Sequence, residues 1–258
     1  GAQGVVDRFG QVRPQILAVA DGYRYNGKLF ALDAKANGML GQIADIEHVI
    51  RIPFSGAAGE LAHGSVVEYP DLLDNAAVEP EFEPVDFDHP LYIMYSSGTT
   101  GPPKSIVHST GGTLLQHLKE HQLQCDLQSG QRLFWFTTCG WMMWNWLVSA
   151  LASRATIVLY DGSPGHPDLG ALWRLAERTG TTHFGTSPKF LSACATAGLV
   201  PRDAADLHRL RTLLSTGAPL VSEQFDWVYQ NVHDDIQLAS ISGGTDIVGC
   251  FLGGNPLS

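Results

Sequence analysis

The chain has 258 residues, with 26 acidic against 16 basic side chains and a formal net charge of −10. That length allows one large domain or two small ones with a sizeable core, and 44% hydrophobic with only 16% charged residues excludes a disordered tract. The acidic balance argues against a nucleic-acid or anionic-membrane partner, and no apolar run reaches the ~18 residues of a membrane span.

In chain order, Gln15 to Ala20 reads as a buried strand followed by a turn at "DGYRYNGK", Asp21 to Lys28. Ala31 to Ile43 has helical spacing, and Ile46 to Ile52 alternates like a strand. Tyr69 to Pro90 is acidic and proline-rich, a surface connection leading to a strand at Leu91 to Tyr95. "SIVHS" is extended, and from Thr113 a regular alternation sets in. Helices are predicted over Thr113–Cys125, Trp141–Ser153, Asp168–Thr179, Pro188–Ala197 and Leu220–Val232. Strands are predicted over Arg132–Thr138, Ala155–Tyr160, Thr182–Ser187, Arg211–Thr216 and Ile236–Ser242. This rhythm predicts an α/β protein with mostly parallel sheets flanked by helices. The expected sub-units are 1–90 and 91–258.

The four cysteines, Cys125, Cys139, Cys194 and Cys250, show no C-x-x-C pair. They read as reduced thiols of a cytoplasmic protein rather than as a zinc or redox site. His117 and His121, four apart on a helix, read as a solvated face, because no third metal ligand accompanies them. No G-x-S-x-G elbow is present, which argues against a serine hydrolase.

The segment carrying most chemistry is "YSSGTTGPPKS", Tyr95 to Ser105. Gly98 and Gly101 permit close backbone approach, Ser96, Ser97, Thr99 and Thr100 bring hydroxyls, and Lys104 brings a mobile cation. Such a set suits a polyphosphate. A Walker P-loop needs Gly directly before the lysine. Here Pro102 and Pro103 precede it, and neither has an N–H, so hydroxyls and the earlier amides are the expected grip.

With its flanks, "YSSGTTGPPKSIVHS" resembles the phosphate-binding signature of the adenylate-forming enzymes, the superfamily of acyl-CoA synthetases, adenylation domains and luciferases. "STGAPL" (Ser215–Leu220) and "SISGGTDI" (Ser240–Ile247) resemble further motifs of that family in order and spacing. "DGYRYNGK" and "FTTCGWMMWNW" (Phe136–Trp146) resemble its acetoacetate-activating branch. The resemblance implies ATP, Mg²⁺ and coenzyme A, with acetoacetate as the acid. It implies that Ser96, Ser97, Gly98, Thr99, Thr100, Gly101 and Lys104 hold the phosphates, and that Gly217, Ala218 and Pro219 line the adenine pocket beside Ser240 and Gly244. Thr245 would bond the α-phosphate and Asp246 would ligate the metal. Gly243 stands where the acetate-activating relatives carry Trp, so a larger acyl pocket is expected there, with Trp141, Met142 and Met143 as its opposite wall. Trp146 and Leu147 are expected in the core.

The chain starts without Met and stops twelve residues after Asp246. By resemblance, the C-terminal lid with its catalytic lysine would follow, so the chain is expected to be a central fragment of the large AMP-binding domain, weakly active or inactive alone. Three other readings stay open: a synthetase for another short acid, a non-catalytic nucleotide- or acyl-binding module, and a P-loop phosphotransferase, against which Pro103 argues. The oligomeric state is not legible from the sequence.

Overall fold

A computed structural model describes residues 1–73, 79–96 and 101–257. The chain divides into two compact units, Gly1–Val85 with Tyr95–Ile106, and Asp86–Met94 with Val107–Ser258. Residues 95–106 thus belong to the first unit although residues 86–94 before them belong to the second.

The first unit opens on helix α1 (Ala2–Val12), followed by strand β1 (Ile16–Ala20), the hairpin β2 (Gly22–Tyr25) and β3 (Lys28–Ala31), helix α2 (Asp33–Leu40), β4 (His48–Ile52) and β5 (Val66–Glu68). Strands β1, β4 and β5 form a parallel sheet in the order β1-β4-β5. Leu17 and Val49 of the sheet pack with Leu40, Ile43 and Ile46, and Val6 and Phe9 of α1 lie against them. The expected turn at Asp21–Lys28 is a complete antiparallel hairpin, because Asn26 and Gly27 both take positive φ, the backbone that a two-residue hairpin loop needs.

Asp21, between β1 and β2, is 1% exposed. Its carboxylate accepts the amides of Phe54, Ser55 and Gly56 at 3.1, 2.8 and 2.9 Å and the Ser55 hydroxyl at 2.9 Å. Desolvation pushes this carboxyl up, but the bonds from Ser55, Phe54 and Gly56 outweigh it and hold the pKa at about 2. The 54–56 loop is thereby fixed to the end of β1.

Strands β6 (Pro90–Ser96) and β7 (Lys104–Ser109) form a two-stranded sheet and carry the chain between the units. The second unit continues with α3 (Thr110–Lys119), a π-helical turn at Glu120–Gln124, β8 (Arg132–Trp135), α4 (Met142–Ser149) and β9 (Thr156–Val158). Then come α5 (Ala171–Thr179), β10 (His183–Thr186), α6 (Pro188–Thr196), α7 (Pro201–Ala204), β11 (Thr212–Ser215), α8 (Ser222–Asn231), β12 (Gln237–Ser240), β13 (Ser242–Gly244) and β14 (Gly249–Leu252).

Strands β12-β11-β10-β8-β9 form a parallel sheet in that order. Alternate side chains feed two cores, as the strand period requires. Phe134, Phe184 and Leu213 face Leu172, Trp173, Leu191 and Val228 of α5, α6 and α8. Leu133, Trp135, Leu214 and Ala239 face Trp146, Leu147 and Ala150. Trp173 stacks on Phe184 with centroids 4.6 Å apart, and truncating either buried ring to Ala costs about 3–5 kcal/mol. Gly185 has a steric cause. A Cβ there would fall 2.7 Å from Cγ of Trp135 and closer still to the six-membered ring. The mixed α/β fold expected from the sequence is therefore present, with both faces of its main sheet covered by helices.

Candidate active site

In a parallel sheet covered on both faces, ligands bind beyond the carboxyl ends of the strands. In the second unit, a cavity of about 650 Å³ lies beyond β8, β11 and β12. Trp141, Met142 and Met143 at the start of α4 line it, as do Gly217, Ala218 and Pro219 after β11 and the segment Ser240–Thr245 after β12. Ten residues expected at the site, from three separate stretches of sequence (Trp141, Met142, Met143, Gly217, Ala218, Pro219, Ser240, Gly243, Gly244 and Thr245), thus share one lining.

Each wall has a local reason. Gly217 sits at φ +96°, with nothing near its missing Cβ, so the turn needs glycine for its backbone alone. The Thr216 hydroxyl donates to the Ile241 carbonyl at 2.9 Å, and the Ser240 hydroxyl accepts the Leu220 amide at 3.2 Å. Ser240 therefore closes the 216–220 turn onto β12. Trp141 is 70% exposed, a large ring left at the rim.

Strands β13 and β14 are antiparallel and joined by a turn at 245–248. A Cβ on Gly243 would fall 2.7 Å from Cα of Cys250 and closer still to the Gly249 carbonyl oxygen. The missing side chain of Gly243 thus admits the neighbouring strand, while the residue itself borders the same cavity as Trp141, Met142 and Met143. Gly249 is equally constrained, since a Cβ there would lie 2.7 Å from Oε1 of Glu120. Val248 takes φ +48°, an uncommon backbone for a β-branched residue.

The hairpin is tied down by polar groups of α3 and its neighbours. His108 donates from Nε2 to the Thr245 carbonyl at 2.8 Å. His117 donates from Nε2 to the Val248 carbonyl, and its Nδ1 lies 2.8 Å from the Ser149 hydroxyl. Oε1 of Glu120 accepts the Cys250 amide at 2.9 Å and Oε2 accepts the Trp146 indole N–H at 2.8 Å. Glu120 and Trp146 both border the cavity.

His117 and His121 are both fully buried, not on a solvated helix face as expected. Burial pushes His117 down and takes His121 down to about 3, so both rings are neutral. Among the described residues no cluster of three or more His, Cys, Asp or Glu side chains is arranged to hold a metal. Sequence reasoning missed Glu120 and the lining role of Trp146. Their pairing joins residues 26 positions apart, and no local pattern announces it.

Ser96 ends β6, and Gly101 and Lys104, both exposed, belong to the first unit. Ser97, Gly98, Thr99 and Thr100 lie outside the described residues. The Pro103 carbonyl accepts the Gln11 side chain of α1 at 2.8 Å. Asp246 is exposed at the hairpin turn.

Residues 30–256 match the family model described as AMP-binding enzyme. The chain belongs to the AMP-binding enzyme family. Within that family it is 50% identical, over 100% of its length, to the acetoacetyl-coenzyme A synthetase of Rhizobium meliloti, of which it covers 40%. It is 44% identical over 99% of its length to that of Mus musculus, covering 39%. The solved acetoacetyl-CoA synthetase from Streptomyces lividans matches with a TM-score of 0.93 and 46% identity, over 99% of this chain and 40% of that one. The chain thus spans about 40% of the length of the family members it matches. Among the described residues, no helix is long and apolar enough to cross a membrane.

Proposed function

We propose that the protein carrying this chain is an acid–thiol ligase that activates acetoacetate with ATP and passes it to coenzyme A. The acetoacetate carboxylate oxygen bonds to the α-phosphorus as the bond to the β-phosphate oxygen breaks and diphosphate leaves. The coenzyme A sulfur then attacks the acyl carbon of acetoacetyl-AMP, and AMP leaves. The observation that carries this reading is the single cavity into which the turn at Gly217–Pro219, the Ser240–Thr245 segment and Trp141–Met143 converge. Relatives at 50% and 44% identity that bear the acetoacetyl-CoA synthetase name supply the choice of acid.

In this reading Gly217, Ala218 and Pro219 present backbone to the flat adenine, and small residues are needed for that approach. The Thr245 hydroxyl donates to the α-phosphate, while Lys104 and the hydroxyls of Ser96, Ser97, Thr99 and Thr100 neutralise and hold the outer phosphates. Bringing a carboxylate to a triphosphate opposes like charges, so catalysis rests on alignment and charge stabilisation. Asp246 is a lone exposed carboxylate. That donor set fits Mg²⁺, which takes one or two carboxylates and fills its remaining positions with phosphate oxygens and water. Magnesium there would spread the negative charge of the phosphates. We place the protein in the cytoplasm, where four unpaired thiols stay reduced.

The test is ATP–diphosphate exchange by the protein at the length of its relatives. Exchange stimulated by acetoacetate well above acetate or butyrate, and abolished in Thr245→Ala, is the expected result. Preference for another acid would replace acetoacetate, and nucleotide binding without exchange would make the protein a binding module.

A further inference from the structure

Glu120 is a carboxylate at the cavity wall with a side chain only 2% exposed. Its two oxygens receive donors that cannot reverse: the Cys250 backbone N–H on Oε1 at 2.9 Å and the Trp146 indole N–H on Oε2 at 2.8 Å. The Gln116 side-chain amide adds a third at 2.5 Å on Oε1. A carboxylate can accept on both oxygens, whereas a carboxamide offers one acceptor and one donor. Isosteric Gln would therefore set an N–H against either Cys250 or Trp146. Both of these residues border the same cavity, so the carboxylate fixes two of its walls.

Its charge is only partly offset. The Lys119 ammonium lies 3.9 Å from Oε1 on a side chain that is 42% exposed. His117 and His121, the titratable groups of the same helical face, are buried and neutral. A full negative charge in partly desolvated surroundings acts on a second charge several ångströms away far more strongly than it would in water.

We propose that Glu120 is a specificity-determining residue: it positions the Trp146 and Cys250 walls and excludes acids whose far end carries a second negative charge. The inference rests on the reading of the cavity as an acyl site. An uncharged far end, such as the methyl ketone of a β-keto acid, is accepted. A carboxylate of equal size is refused.

The experiment compares kcat/KM for acetoacetate and malonate, acids of similar size, in the protein at the length of its relatives. Wild type is expected to favour acetoacetate strongly. In Glu120→Gln that preference narrows by roughly tenfold to a hundredfold, the effect of removing one unit charge at several ångströms, while kcat falls for both acids as the walls loosen. Adding Trp146→Phe removes the indole N–H that Gln cannot accept. The double variant is expected to regain acetoacetate turnover relative to the single one while keeping the narrowed preference, and it decides the question if the single variant does not fold. A merely structural role would lower both acids alike, so a preference within about twofold of wild type in the double variant overturns the inference. A wild type that makes no thioester from any short acid overturns the functional reading and this inference with it.

Discussion

The Thr245 carbonyl oxygen is held by Nε2 of His108 at 2.8 Å, so the residue proposed to touch the α-phosphate is fixed through its own backbone. His108→Ala frees that oxygen. We expect a stability loss of roughly 1 kcal/mol and a fall in kcat of about tenfold or more, because misplaced binding groups forfeit alignment. His108→Gln keeps a donor and should recover much of the rate. Equal rates for wild type and the Ala variant would remove the positioning role.

Gly243→Ala and Gly217→Ala separate two reasons for glycine. At 243 the new methyl meets the backbone of Gly249 and Cys250, and overpacking of this kind costs about 1–3 kcal/mol. At 217 nothing is touched, yet φ +96° is strained for any side chain, at about 1–3 kcal/mol. Denaturant unfolding should show both losses. Ligand affinity should fall further for 243, where the hairpin itself must shift.

Three buried histidines of the second unit give a pH signature. Desolvation takes His121 to about 3 and His183 to about 4, and it lowers His117 from the usual 6.5. The unfolded chain binds these protons near pH 6.5 and the folded chain does not. Their contribution is therefore complete above that value and declines as pH falls from 6.5 toward 4. Urea midpoints should drop across this window, as the unfolding free energy falls by at most about 1.4 kcal/mol per pH unit for each histidine. A flat midpoint between pH 7 and 4.5 would contradict the neutral, buried assignment.

Asp21 acts in a lower window and in the other unit. Its folded pKa of about 2 lies below the ordinary 3.8, so its stabilisation is present above pH 3.8 and is lost as pH falls through 2. Asp21→Asn removes an acceptor from the 54–56 amides. A cost of roughly 1–3 kcal/mol at neutral pH is expected, read from hydrogen exchange of those amides. The difference from wild type should vanish near pH 2.

The alternation of strand and helix was legible from Arg132 onward because each strand is a short apolar run and each helix a longer periodic one. Helix α1 was not, since Gly4 and Gly10 lie within it and each lowers helix propensity by about 1 kcal/mol. It forms around Val6 and Phe9, which pack on the core of the first unit. The glycine turn at 217 and the Trp141–Met143 wall were readable as local motifs. The Glu120–Trp146 bond and the burial of His117 and His121 were not, because each depends on which elements the fold brings together. At Gly243 one letter meets two demands: the residue borders the cavity, which the motif suggested, and it admits β14, which only the fold shows.

Positions 243 and 249 interlock, so neither can be exchanged on its own. An aromatic at 243 requires β14 to lie elsewhere, and β14 lies where it does because Gly249 lets it rest on Glu120. Redesign of the acid preference therefore has to transplant the whole 242–252 segment together with its supporting carboxylate. In natural homologues, changes at 120, 243 and 249 should arrive together.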